Sequence, residues 1–178
     1  MIVTLPFASE TSLIRAAADH PEITLARMTT EDATIIGTGL AEIDPWARLD
    51  FAGERFANFL AAEGDGAFRF KILFGAERAG AVVVRFPWLS GPYLNILGIL
   101  PAFQRRGVGA LALTWLENES RRVAARSIWL CVSSFNVAAR AFYERHGYRV
   151  AAQLDDLIND GKNEMLMRKK IVQTAASL

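Results

Sequence analysis

The run Gln104-Arg105-Arg106-Gly107-Val108-Gly109-Ala110 constrains this chain most, because it joins a predicted strand, Tyr93 to Leu100, to a predicted helix through a cationic, glycine-rich turn. Amides in the first turn of a helix lack intrahelical acceptors and point outward, and the helix dipole adds roughly half a positive charge at that end. Gly107 and Gly109 let a ligand approach the backbone, while Arg105 and Arg106 bring formal charge. Such a turn is a cradle for a pyrophosphate. The plainer alternative is a helix start with two solvated arginines.

Two known phosphate loops can be tested against this spacing. A P-loop needs Lys and then Ser or Thr after its last glycine, whereas Ala110 and Leu111 follow Gly109, which argues against nucleotide hydrolysis of that type. The dinucleotide fingerprint fits better in spacing, through Gly107, Gly109 and Ala112. It fails in context. A stretch opening with Pro101 separates the strand from Gly107, and the next predicted strand, Ser127 to Ser133, carries no Asp or Glu to hold a ribose. A nicotinamide dinucleotide is kept only as an alternative ligand of the cradle.

Downstream, the segment Ser133 to Tyr148 leaves a strand, opens a helix at Asn136 and closes at Gly147. Together the two clusters resemble the GNAT superfamily of acyl-coenzyme A dependent N-acetyltransferases. Gln104, Gly107 and Gly109 match the Q/R-x-x-G-x-G/A signature. Asn136, Ala139, Phe142, Tyr143, Gly147 and Tyr148 match N-x-x-A-x-x-F-Y-x-x-x-G-F/Y, in the family's order. The resemblance runs from about Ile23 to about Ile171. It divides the chain into an N-terminal extension (1–22), an acetyltransferase-like domain (23–171) and a tail (172–178).

What the resemblance implies can be placed residue by residue. The cofactor is acetyl-coenzyme A, and the acceptor is a primary amine of a small molecule or peptide. Ile99 and Leu100 fall where the strand splays and bonds the pantetheine arm like an added strand. The amides of Arg106, Gly107, Val108, Gly109 and Ala110 receive the pyrophosphate, with side-chain contacts from Gln104 and Arg105. Asn136 bonds the pantetheine or phosphate region, although Asn is also a favoured N-cap. Tyr143 is the candidate general acid for the departing thiolate: a phenol titrates at about 10 and a thiol at about 8.5, so the proton transfer has little mismatch. Its alternative is a core aromatic beside Phe142. An amide near Ile99 is expected to meet the oxyanion. Where many lysine-acetylating relatives carry a Glu base, this chain has Tyr93. Glu42, Asp44, Asp50, Asp155 and Asp156 are the other acids near the acceptor region, and none is singled out. Trp46, Trp88 and Tyr93 form a candidate acceptor wall, with loop anchoring as the equal alternative for the two tryptophans. A binding module that senses acyl-coenzyme A without turnover is the competing functional class, and a homodimer is common among similar proteins.

Periodicity agrees with an α/β (α+β type) fold. Ile23 to Arg27 reads as a strand, Thr29 or Thr30 as the cap of a helix bearing Ile36, Leu40 and Ile43, and Ala52, Phe56, Phe59 and Leu60 as one face of a second helix. Alternation through Phe68, Phe70, Ile72 and Phe74, with Gly75 and Gly80 bracketing a turn, predicts a hairpin into Ala81 to Phe86. Tyr148 to Leu154, the turn Asn159-Asp160-Gly161 and Glu164 to Lys169 close the chain as two further strands. The expected result is a mixed, mostly antiparallel sheet of six to seven strands with helices on both faces. An extra helix around Thr11 to Ala18, or fraying, is expected before it.

The chain's 178 residues and 52% hydrophobic content suit one enzyme-sized domain. A net charge of +1 with interspersed signs offers no stripe for nucleic acid or an anionic membrane. Cys131, the single cysteine, excludes an internal disulfide and reads as a buried, inert thiol of a reducing compartment. His20 and His146 are too separated to suggest a metal site. With no secretory signal and no membrane-length apolar run, a cytoplasmic protein is expected.

Overall fold

The computed structural model describes residues 7, 11–13, 21–64 and 66–172. Its strands are β1 (Thr11–Leu13), β2 (Ile23–Arg27), β3 (Ala67–Phe74), β4 (Glu77–Trp88), β5 (Gly91–Ile99), β6 (Ser127–Ser133), β7 (Arg149–Asn159) and β8 (Lys162–Lys170). They form one sheet in the order β1-β2-β3-β4-β5-β6-β8-β7. Every pairing is antiparallel except β5 with β6. The helices are α1 (Thr30–Ala41), α2 (Gly53–Ala61), α3 (Val108–Arg122) and α4 (Val137–Arg145).

The central strand explains the layering. Ala79 to Val84 of β4 are buried without a break, as expected of a strand covered on both faces. Ala81 and Val83 meet Ile36 and Leu40 of α1 and Phe56 and Leu60 of α2. Val82 and Val84 point the other way, into a cluster with Val108, Ala112, Leu113 and Leu116 of α3 and Tyr143 of α4. Helices on both faces follow directly from this alternation.

Three details depart from the sequence expectation. The sheet has eight strands rather than six to seven, because Thr11–Leu13 pairs with β2 where a helix was expected; residues 14–18 of that expected helix, His20 and the tail from 173 lie outside the described residues. Phe7 is 1% exposed and packs on Phe68, Phe86 and Trp115, with its amide donating to Glu119, so residues before Ile23 contribute to the core. Gly80 belongs to β4 rather than to the turn: a Cβ there would lie 2.0 Å from the Gly98 carbonyl oxygen. Close approach of β4 and β5 therefore requires glycine at that point.

The first helix is fixed by charge as well as by apolar packing. Thr29 and Asp32 form a reciprocal capping box, and Asp32 also accepts from Lys71 (2.7 Å) and Arg78 (2.6 Å) on the neighbouring hairpin. Burial alone would raise the Asp32 pKa; the bonds from Lys71, Thr29 and Arg78 outweigh it and hold the carboxyl well below the ordinary range. A depressed carboxyl stabilises the fold above its unfolded pKa of about 3.9, and that contribution is lost as pH falls through the folded value. Replacing Asp32 by Asn should therefore cost about 1–3 kcal/mol at pH 7. The difference from wild type should shrink in strong acid, as read from urea melts across pH.

Candidate active site

Between β5 and β6 the sheet opens. Their parallel pairing comprises Tyr93 with Trp129 and Leu94 with Leu130, after which the strands part. The β4–β5 register shifts at the same level, between Val83 and Val84, leaving Asn95 as the extra residue on β5. A cavity of about 310 Å³ occupies the gap, lined by Tyr93 to Leu97 of β5, Cys131 to Ser133 of β6, and Asn136, Ala139 and Tyr143 at α4. The Leu100 amide donates to Ala79 on β4; since peptide groups alternate sides along a strand, those of Leu97 and Ile99 point away from β4 toward the gap.

The phosphate loop adjoins this cleft. Gly107 takes φ +80°, with no side chain capping α3, and the first amide of the turn with a helical partner is that of Leu111. A side chain at Gly107 would meet open space but a strained, left-handed backbone. The amides of Val108, Gly109 and Ala110 thus form an uncapped donor cluster. A Cβ at Gly109 would lie 3.3 Å from Phe142 of α4, so the loop and the cleft share a wall. Arg105 is exposed, also with positive φ, and the Arg106 guanidinium lies over Phe74 at 5.5 Å and Phe103 at 5.9 Å. This donor set, all cationic or N–H, fits a pyrophosphate, and the open β5 edge beside it fits an amide-bearing arm.

Other predicted residues occupy more specific places. Gln104 donates through Nε2 to the Ile99 carbonyl at 2.9 Å, tying the loop to the strand end. Leu100, expected on the open edge, has its amide committed to β4, so the usable edge lies nearer Asn95 to Ile99. Asn136 Oδ1 caps α4 by accepting from the Ala139 amide at 3.1 Å, which leaves its NH₂ group as the donor it can offer the cleft. Trp46 lines the cleft, edge-on to Phe56 at 5.2 Å, whereas Trp88 is not among the lining residues. It packs tilted against Tyr93 at 4.8 Å and edge-on to Trp129 at 5.8 Å, because the tight turn at Leu89-Ser90 sets it opposite Gly91. Trp88 therefore buttresses the wall from outside.

Sequence reasoning missed the cleft's carboxylate. Glu164 of β8 is 3% exposed, lines the cleft, and accepts a hydrogen bond from Ser133 at 2.5 Å. Among the described lining residues it is the one acid; Glu42, Asp44, Asp50, Asp155 and Asp156 are exposed and none lines the cavity. Asp44 pairs with Arg48, Asp155 accepts from Gln153, and Asp156 accepts from the Gly161 amide. Alternation would have placed Glu164 on one face of a strand, but not which face meets the gap. Cys131 likewise lines the cleft with Tyr93 and is only partly buried, rather than lying sealed in the core.

Burial sets the protonation of this group. It pushes the Glu164 carboxyl above its ordinary value, against a smaller opposing pull from Ser133. It also pushes up the phenols of Tyr93 and Tyr143 and the Cys131 thiol. Tyr143 thus remains a neutral donor through the physiological range, a weaker acid than its sequence alone suggested.

The acetyltransferase (GNAT) family profile matches residues 38–148, and the chain belongs to that family. It is similar to the [ribosomal protein bS18]-alanine N-acetyltransferase of Salmonella typhimurium, 29% identical over 107 residues that cover 60% of this chain. The chain spans 66% of the length of that curated relative. Its fold is similar to the crystal structure of the ribosomal-protein-S18-alanine N-acetyltransferase from Escherichia coli, with TM-score 0.67 and 21% identity over 88% of this chain and 98% of that one. An acetyltransferase from Bacillus anthracis, crystallised in complex with acetyl coenzyme A, has the same fold at TM-score 0.56 and 18% identity, covering 65% of this chain and 68% of that one.

A carboxyl with a raised folded pKa stabilises the protein below its unfolded pKa and loses that contribution as pH rises through the folded value. Glu164→Gln should accordingly raise the melting temperature at neutral pH and leave it unchanged near pH 4. Thermal melts at the two pH values check this.

Proposed function

We propose that this protein transfers an acetyl group from acetyl-coenzyme A to a primary amine of a small molecule or peptide, by direct attack within a ternary complex. The observation that carries this reading is that α4 borders two features: its Phe142 packs against Gly109 of the uncapped helix start, and its Tyr143 lines the cleft where β5 leaves β6. Acetyl-coenzyme A supplies the acyl carbon as an activated thioester. The amides of Val108 to Ala110 hold the pyrophosphate, with Arg105 adding screened charge. The peptide group of Leu97 and the amide of Ile99 receive the pantetheine arm by strand addition and offer a donor to the thioester oxygen. Asn136 contributes its NH₂ group, and Tyr143 donates to the departing sulfur.

The acceptor enters from the opposite side. Trp46, Leu49, Phe51, Phe56, Leu157 and Ile158 line the cavity, so the amine is best matched when carried on an apolar group. The Salmonella relative is named for an alanine of ribosomal protein bS18, and a small apolar residue at a peptide N-terminus satisfies the same chemistry. A cytoplasmic setting accords with the single free thiol.

An amine screen with thiol release as its readout should identify an acceptor. Tyr143→Phe should then lower kcat by about 10²-fold while leaving coenzyme A affinity intact, the range expected for loss of a general acid. Gly107→Glu should abolish coenzyme A binding in calorimetry with the fold retained. Retained affinity in that variant, or preference for NADH over coenzyme A, would contradict the cradle.

A further inference from the structure

Resting on the transferase reading, we propose that Glu164 is the general base that accepts the proton of the acceptor's ammonium. The side chain stands near the start of β8, opposite Ser133, and is the one carboxylate among the described residues lining the cleft. Its Oε1 is held by the Ser133 hydroxyl, which fixes the carboxylate and leaves its second oxygen as the acceptor it can offer a reactant. The polar and titratable groups that line the same cavity include Tyr93 from β5, Cys131 and Ser133 from β6, Tyr143 from α4 and Arg55 from α2. Tyr93 and Cys131 cannot do this work, since a phenol and a thiol ordinarily titrate above neutrality and burial raises both further. Leu157 and Ile158 on β7 add no charge.

Placement favours a division of labour. Glu164, Tyr93 and Tyr143 all line the same cleft, so a base and a proton donor share one cavity. Burial makes Glu164 a stronger base than a solvated carboxylate, and an ammonium arriving beside it gains a countercharge in a poorly hydrated space. Glu164 takes one proton from the ammonium. The neutral nitrogen forms the C–N bond as the C–S bond breaks; Tyr143 protonates the departing sulfur and recovers a proton from the nitrogen. Glu164 then releases its proton to solvent, which balances the reaction as one amide, one thiol and one proton.

The test uses the full chain and the acceptor found by the amine screen. Glu164→Gln should lower kcat/KM by about 10²-fold or more, and Glu164→Asp should recover part of it. In wild type, kcat/KM should rise with pH along a limb above the ordinary glutamate range, and that limb should vanish in the Gln variant. Coenzyme A affinity should be unchanged in both variants, and both should still melt cooperatively. Independently of turnover, ¹³C NMR of glutamate-labelled protein should show one carboxyl titrating above the others, missing from Glu164→Gln. Wild-type turnover in the Gln variant, or no elevated carboxyl resonance, overturns the base assignment and leaves the transferase reading standing. Absence of thiol release from wild type with every amine overturns both.

Discussion

The parting of β5 from β6 after the Leu94–Leu130 pair is the constraint on which the site depends. Backbone groups inside a sheet ordinarily satisfy one another, and an interior edge without a partner is costly unless water or a ligand serves it. Here the neighbouring pairs hold the opening in place. The antiparallel β4–β5 ladder continues to Ile99 opposite Gly80, and β6 is held along its whole length by β8, from Ser127 with Lys170 to Ser133 with Glu164. The gap is therefore bounded by rigid strands, and the same β6–β8 register delivers Glu164 to its wall.

That delivery has an electrostatic consequence. A carboxylate placed among Tyr93, Cys131 and Tyr143 is poorly solvated, which disfavours its charged form and so diminishes stability while increasing basicity. The two phenols and the thiol respond in the opposite functional sense, staying protonated as donors. Asp32 makes the contrast plain: it is equally buried, but Lys71, Arg78 and Thr29 surround it with donors, and its charge holds α1 to the sheet. One acid is structural because its partners are cationic, whereas the other keeps only a hydroxyl.

The motif-bearing parts of the fold were legible in the sequence because their signals are local. Gly107 after two arginines, Asn136 capping a helix, and the alternation of Phe68 to Phe74 each arise from backbone chemistry within a few residues. The site's far wall was not legible. Glu164 reaches the cleft through pairing with a strand distant in sequence, and Trp88 was drawn out of it by a turn that sets it against Tyr93. The short strand at Thr11–Leu13 escaped for a related reason: three residues carry too little periodicity to distinguish pairing from a helical turn. A carboxylate absent from its customary position, with Tyr93 in its place, was the one sequence ground that gave the competing non-catalytic module any weight. Glu164 in the same cleft removes that argument.

Amide hydrogen exchange with and without coenzyme A addresses the central claim most directly, since it reads the proposed contacts at the backbone itself. Saturating coenzyme A should slow exchange at Leu97 and Ile99 and at Val108, Gly109 and Ala110, with little change on β1 or β2. Unaltered exchange at those five amides, with protection appearing at another surface, would contradict binding in the opening between β5 and β6.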